Sequence, residues 1–202
     1  MGLRINTNTA AINASRVLAR STKQLNKALE QLSSGLRINR ASDDAAGLAI
    51  AEGFNSVVRG TRVAQRNAQD GVSLMQTAEG ALSETTNILQ RIRELAVQSA
   101  NGTMTTANRA ALQAEVTQLL EQIDDIASDT EFNGLRVLSA AQTITLQAGP
   151  QAGQTLQLQL SGAKASDIGV SSVSISSQDA AVSALSILDL AINSVSSLRA
   201  TL

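Results

Sequence analysis

Between Ala64 and Ala96 the chain advances in alternating steps of four and three residues, and no charge interrupts the series. Ala64, Ala68, Gly71, Met75, Ala78, Leu82, Thr85, Leu89, Ile92 and Ala96 occupy it. Steps of four and three return a helical residue to the same stripe, so these positions form one seam against which another helix can lie. Small residues within the seam let the partner backbone approach closely. A flanking row, Leu74, Ala81, Ile88 and Leu95, widens the apolar face beyond a single neighbour. The spacing predicts a long helix from about 44 to 99.

The same logic extends in both directions. Leu18, Leu25 and Leu32 recur every seven residues, predicting a first helix over about 6–34. Gly35 is a plausible stop for it. Ser42 is a good N-cap for the long helix, with Asp43 and Asp44 in the first turn where the helix dipole favours negative charge. Asn101-Gly102 breaks the long helix, and Thr105 or Thr106 can cap the next. That third helix carries Leu112, Val116, Leu119, Ile123 and Ile126 at the same spacing. The short connection implies an antiparallel pair, with Asp124 and Asp125 facing solvent. After Asn133-Gly134 the period changes to two. Ile144, Leu146 and Ala148, then Leu156, Leu158 and Leu160, alternate with polar residues around the loop 149–153, which reads as a hairpin. Residues 161–178 are rich in Ser and Gly. A last helical pattern places Ala181, Leu185, Leu188, Ile192, Val195 and Leu202. The expected fold is mainly α: long antiparallel helices forming a coiled-coil-like rod with a small β-hairpin region.

Composition limits what such helices can do. The chain has 202 residues, 43% of them hydrophobic, but only two Phe and no Trp or Tyr, so aliphatic side chains must supply the packing. A single Pro is consistent with long helix interiors. There is no Cys and no His, which removes thiol nucleophiles, imidazole bases and most metal sites built from side chains. No phosphate-binding Gly loop and no nucleophile–base pair is present, so neither an enzyme nor a cofactor is expected. No apolar run reaches the roughly 20 residues of a membrane span, so no membrane is expected as a partner. Met1–Asn13 lacks the pattern of a cleavable signal peptide. Charge is uneven: residues 1–66 hold ten Lys/Arg against four Asp/Glu, residues 67–202 six against thirteen. Without aromatics for base stacking, this asymmetry suits complementary contacts between copies of the chain better than nucleic acid, which is not expected as a partner.

Two uses of the seams follow. A lone helical bundle could bury them all; otherwise Leu18, Leu25, Leu32, Met75, Leu82, Leu89 and Ile92 form a self-assembly seam. Heterologous contacts that do not close into a ring then build a helical polymer. A cytoplasmic coiled-coil adaptor or signalling protein would show similar heptads.

Longer strings narrow the choice. INTNTAAINASR near the start, SSGLRINRASDDAAGLAIAEGF at 33–54, RNAQDGVSLMQTAEGAL at 66–82, LQRIRELAVQSANGT at 89–103 and FNGLRVL at 132–138 together resemble the bacterial flagellin family. Hook–filament junction proteins share the opening helix but are not similar to LQRIRELAVQSANGT. The resemblance implies residues 1–44 as the N-terminal half of an inner, channel-lining filament domain. It implies 45–178 as a core domain of two long helices and a β-hairpin, and 179–202 as the start of a returning C-terminal helix whose remainder lies outside this chain. The variable outer domains common in the family would be absent. It implies a structural subunit of the flagellar filament that serves swimming motility, secreted through the flagellar export apparatus to the cell exterior and meeting hook-associated and cap proteins. It also implies a patch recognised by an animal Toll-like receptor, for which the matching residues are Arg91, Leu95 and Glu115.

Overall fold

A computed structural model describes residues 8–202. The element order is α1 (Thr9–Ser34), α2 (Ala45–Ser99), α3 (Thr106–Asp129), β1 (Glu131–Phe132), β2 (Leu135–Arg136), β3 (Gln142–Gln147), β4 (Thr155–Leu160) and α4 (Gln178–Thr201). The fold is mainly α, with two small antiparallel sheets. The first residues of the expected opening helix, 6 and 7, lie outside the described residues. The chain divides into two compact units, Met1–Arg59 and Gly60–Leu202, while the expected boundary at 44/45 falls at the start of α2.

In the N-terminal unit, Asn8 caps α1 by accepting the Ala11 N–H at 3.1 Å, and Gly35, at φ 69°, closes it in the left-handed conformation. Gly tolerates that conformation because it lacks a Cβ. None of α1's residues is buried. Its last turns are clasped by the segment that follows: Gln31 Nε2 donates to Arg37 O at 2.7 Å, Arg40 pairs with Glu30 at 2.7 Å, and Lys27 pairs with Asp43 at 2.8 Å. Ser42 does not cap α2. Asp44 does, accepting the Gly47 N–H at 2.9 Å, while its own carbonyl receives the Leu48 N–H. The sequence offers three adjacent capping types, and Asp43 is spent on Lys27.

The Lys27 ammonium holds the Asp43 carboxyl below the usual carboxylate range, against partial burial, which pushes the other way; the Asn39 and Arg40 N–H groups assist. A carboxyl with a lowered folded pKa contributes stability above its unfolded pKa and loses it as pH falls through the folded value. Acidification through and below the ordinary carboxylate range should therefore loosen residues 36–44. Lower amide protection factors there at low pH, with Lys27→Met weakening the pH dependence, are the expected result.

The C-terminal unit holds the core. Leu74, Ala78, Leu82, Ile88, Leu89, Ile92, Leu95 and Ala96 of α2 join Val116, Ile123 and Ala127 of α3 and Ala181, Ala184, Leu188, Ala191 and Val195 of α4 in one buried cluster. Thr105 caps α3 through the Asn108 N–H, as expected, and Ser177 caps α4 through the Ala180 N–H. At the C-terminal end of α2, Arg109 reaches back to donate to the carbonyls of Ser99 and Asn101, both at 2.9 Å. A cation there satisfies carbonyls that the helix leaves without partners.

The expected hairpin forms as β3–β4, pairing Ile144 with Leu158 and Leu146 with Leu156. It lies on α2 where α2 has no side chains: a Cβ at Gly71 would collide with Leu146, and one at Gly60 would stand 2.8 Å from Pro150 Cβ. A second hairpin, β1–β2, turns at Asn133 (φ 52°) and Gly134 (φ 77°). Both positive φ values fit the turn that Asn-Gly favours.

Residues 161–177 are irregular, yet Ala163, Ala165, Ile168, Val170, Val173 and Ile175 all reach into the core. Backbone without a ladder needs other partners. Asp124 accepts the Ala165 N–H at 2.8 Å, Gln113 accepts the Ile175 N–H at 2.6 Å, and Ser99 Oγ donates to Ile175 O at 2.6 Å. Asp124 and Asp125 are both exposed, as expected, and Asp124 serves in addition as a structural acceptor. α4 departs from expectation. It is long and apolar enough, with a mean hydropathy of 1.5 over its best window, to pass for a membrane span by length and composition. Here its Ala181, Leu188 and Val195 are buried in the protein core.

Candidate assembly and recognition faces

The residues expected to form one seam fall into three environments. Leu18, Leu25 and Leu32 are 69%, 59% and 82% exposed on α1. With Leu29, also exposed, they follow the four-three spacing, and Thr22 completes the row. An exposed, regular leucine row on a helix with no buried residue is chemically a surface for another helix. Sequence reasoning overlooked a second such row in the same unit. Ile50, Phe54, Val57 and Val58 are exposed at the start of α2, and their steps of four, three and one, a helical spacing, would have revealed them.

Leu82, Leu89 and Ile92 belong elsewhere. They are 1%, 0% and 0% exposed, covered within the C-terminal unit by α3, α4 and the irregular segment. For these three the lone-bundle alternative is the one the chain adopts, because α3 and α4 supply the apolar area the seam requires. Met75 is intermediate. It is half-buried and lines an apolar cleft of about 330 Å³ with Ala68, Gly71, Leu156, Leu158 and Leu202. Arg199 at the rim approaches Glu79 at 3.5 Å.

The second face lies across α2 and α3. Arg91 donates to Glu115 Oε1 from Nε at 3.2 Å and from Nη2 at 2.9 Å, and to Glu94 at 3.1 Å from Nη1. Glu115 first, then Glu94, stabilise the charged guanidinium and raise its pKa. Both Arg91 and Glu115 are partly exposed, so this is a surface ion pair. The structure therefore brings Arg91 and Glu115 together. Leu95 does not share their surface: it is 1% exposed and packs in the core. On a helix, Arg91 and Leu95 are one turn apart, but Leu95 belongs to the flanking apolar row, which is packed in the core beside the seam. On α2's other flank Arg93 pairs with Asp189 of α4 at 2.7 Å, and this contact, made across a long sequence separation, has no local signature.

The comparisons with known proteins agree with one another. The family described as the bacterial flagellin N-terminal helical region matches residues 5–143. A flagellin of Salmonella muenchen is 47% identical over 176 residues, covering 87% of this chain and 34% of that protein. A B-type flagellin of Pseudomonas aeruginosa is 48% identical over 170 residues, covering 84% of this chain and 35% of that protein. The chain thus spans about a third of the length of these curated relatives. Among solved structures, that of Bacillus cereus flagellin aligns with a TM-score of 0.57 at 31% identity, covering 68% of this chain and 80% of that one.

Proposed function

Because the chain belongs to the bacterial flagellin family, we propose that it is a structural subunit, without enzymatic activity, that polymerises into the extracellular filament of the bacterial flagellum and so serves swimming. The leucine row of α1 carries this reading, since Leu18, Leu25 and Leu32 are exposed and regular on a helix that buries nothing. A helix with a thin apolar seam is marginal in water and gains stability on meeting neighbours. On the same basis we infer that the N-terminal arm is disordered in the free subunit and folds on joining the filament. Export through the flagellum's own apparatus, and contact with hook-associated and cap proteins at the filament ends, complete the reading.

Shearing filaments from cells that make the native protein tests it. The protein should be a major component of the sheared fraction, and deletion of its gene should stop swimming. A purely cytosolic pool would instead favour a coiled-coil adaptor. Recovery only at the hook–filament boundary would favour a junction protein.

A second role, as ligand of an animal Toll-like receptor, draws support from the Arg91–Glu115 pair, a partly exposed Arg held in one geometry. Pre-ordered Arg side chains make effective hot spots. Leu95, being buried, would act by holding α2 in place rather than by touching the receptor. Arg91→Ala should weaken binding to the receptor ectodomain roughly tenfold while leaving the melting temperature nearly unchanged, since an exposed ion pair stabilises little. Undiminished affinity would remove the role.

A further inference from the structure

The chain contains two Asn-Gly pairs, Asn101-Gly102 between α2 and α3 and Asn133-Gly134 between β1 and β2. Such pairs are chemically special. A Gly amide nitrogen, unshielded by a side chain, can attack the preceding Asn carboxamide. The fold treats the two pairs differently.

Asn133 and Gly134 both sit in the left-handed region, at φ 52° and 77°, and the turn they make is closed by the pairing of Phe132 with Leu135 and Glu131 with Arg136. The hairpin depends on that backbone, so the rotation needed to bring the Gly134 nitrogen onto the Asn133 side chain would break it. Gly134 is there because the turn needs a residue that accepts positive φ.

Asn101 is exposed, and its Oδ1 accepts the Thr103 N–H at 3.1 Å. This bond folds the carboxamide back over the Gly102 peptide and places a donor on the oxygen that would carry negative charge during attack. Preorganised donors at such an oxygen lower the barrier. Gly102 has no positive φ, and a Cβ there would meet only the Gln178 amide, at 3.9 Å, an ordinary contact. The fold does not require glycine at 102, yet glycine is what makes the preceding Asn reactive.

We infer that Asn101-Gly102 is a site of spontaneous deamidation, while the fold protects Asn133-Gly134. The Gly102 nitrogen bonds to Asn101 Cγ, the Cγ–Nδ2 bond breaks, and ammonia leaves with the proton lost from the Gly102 amide. Water then opens the resulting succinimide at either carbonyl, giving Asp or isoaspartate, with no change of oxidation state. Either product adds one negative charge and takes the formal net charge from −1 to −2. The Asp form keeps the main chain as it is. The isoaspartate form reroutes the main chain through Asn101 Cβ and Cγ and turns the former main-chain carbonyl, which accepts from Arg109 Nη2 at 2.9 Å and from the Met104 N–H at 3.1 Å, into a free carboxylate off the chain. The lengthened main chain no longer matches the turn those bonds define, so the modification marks age with a charge and alters the end of α2 in part of the population.

Incubating the native protein at mildly alkaline pH and mapping its peptides by mass spectrometry tests the inference. In the folded protein, deamidated product should accumulate at Asn101 well ahead of Asn133. In the denatured protein the two sites should react at similar rates. Gly102→Ala should suppress the reaction at Asn101 with an unchanged far-UV circular dichroism spectrum, because the added methyl finds room. If Asn133 keeps pace with Asn101 in the folded protein, or if Asn101 stays intact while Asn133 reacts, the inference fails. The comparison of folded and denatured wild type decides the matter even if the Ala variant folds poorly.

Discussion

Leu89→Ala should destabilise the C-terminal unit by about 2–5 kcal/mol, the cost of deleting a fully buried leucine and leaving a cavity. Leu89 is 0% exposed and sits in the cluster that joins α2, α3 and α4. Denaturant or thermal unfolding of the free subunit, followed by far-UV circular dichroism, checks this, since Trp and Tyr are lacking as fluorescent probes. The result distinguishes two roles that look identical in a heptad. A leucine reserved for a neighbouring subunit would leave the free subunit's melting unchanged and affect only assembly. An unchanged midpoint would therefore contradict the packing described here.

The converse holds for α1. Leu18→Asp with Leu25→Asp should leave melting of the C-terminal unit unchanged, because both leucines are exposed and α1 buries nothing. Polymerisation should fail. Burying a leucine contributes about 1.5–3 kcal/mol, so losing two contacts raises the critical concentration for assembly by at least roughly a hundredfold. Carboxylates in an apolar seam add a further penalty. Pelleting of polymer from the native protein and from the variant, at matched concentration, measures the difference. Normal pelleting by the variant would separate the leucine row from assembly.

These two expectations show what periodicity conveys. The four-three spacing located α1, α2 and α3 within a few residues, and alternation located β3 and β4. It identified which face of each helix is apolar but not what covers it. Leu25 and Leu89 read alike in sequence and differ completely in structure, because α3 and α4 return across one and nothing in the described chain returns across the other. Leu95 misled for a related reason. Spacing placed it one turn from Arg91, but the flanking row to which it belongs is covered along with the seam. Local chemistry was legible where it acts within a few residues, as at Thr105 and Gly35. Asn133-Gly134 is a strong turn signal, but the strands beside it are two residues each, too short to show an alternating pattern. Asp124, Gln113 and Ser99 were not legible, because each acts on backbone far along the chain and polar residues near a helix surface carry no mark of that duty.

Those three side chains also bear on the order in which the unit forms. They join positions separated by 41, 62 and 76 residues, and the segment they hold has no ladder to nucleate it. Closing such loops costs entropy before any contact compensates for it, so non-local structure is slow to appear. Helices α2 and α3 can pair early through a short turn, whereas residues 161–177 settle only onto a surface already made. The fastening of this strap is therefore the expected last step of folding in the C-terminal unit.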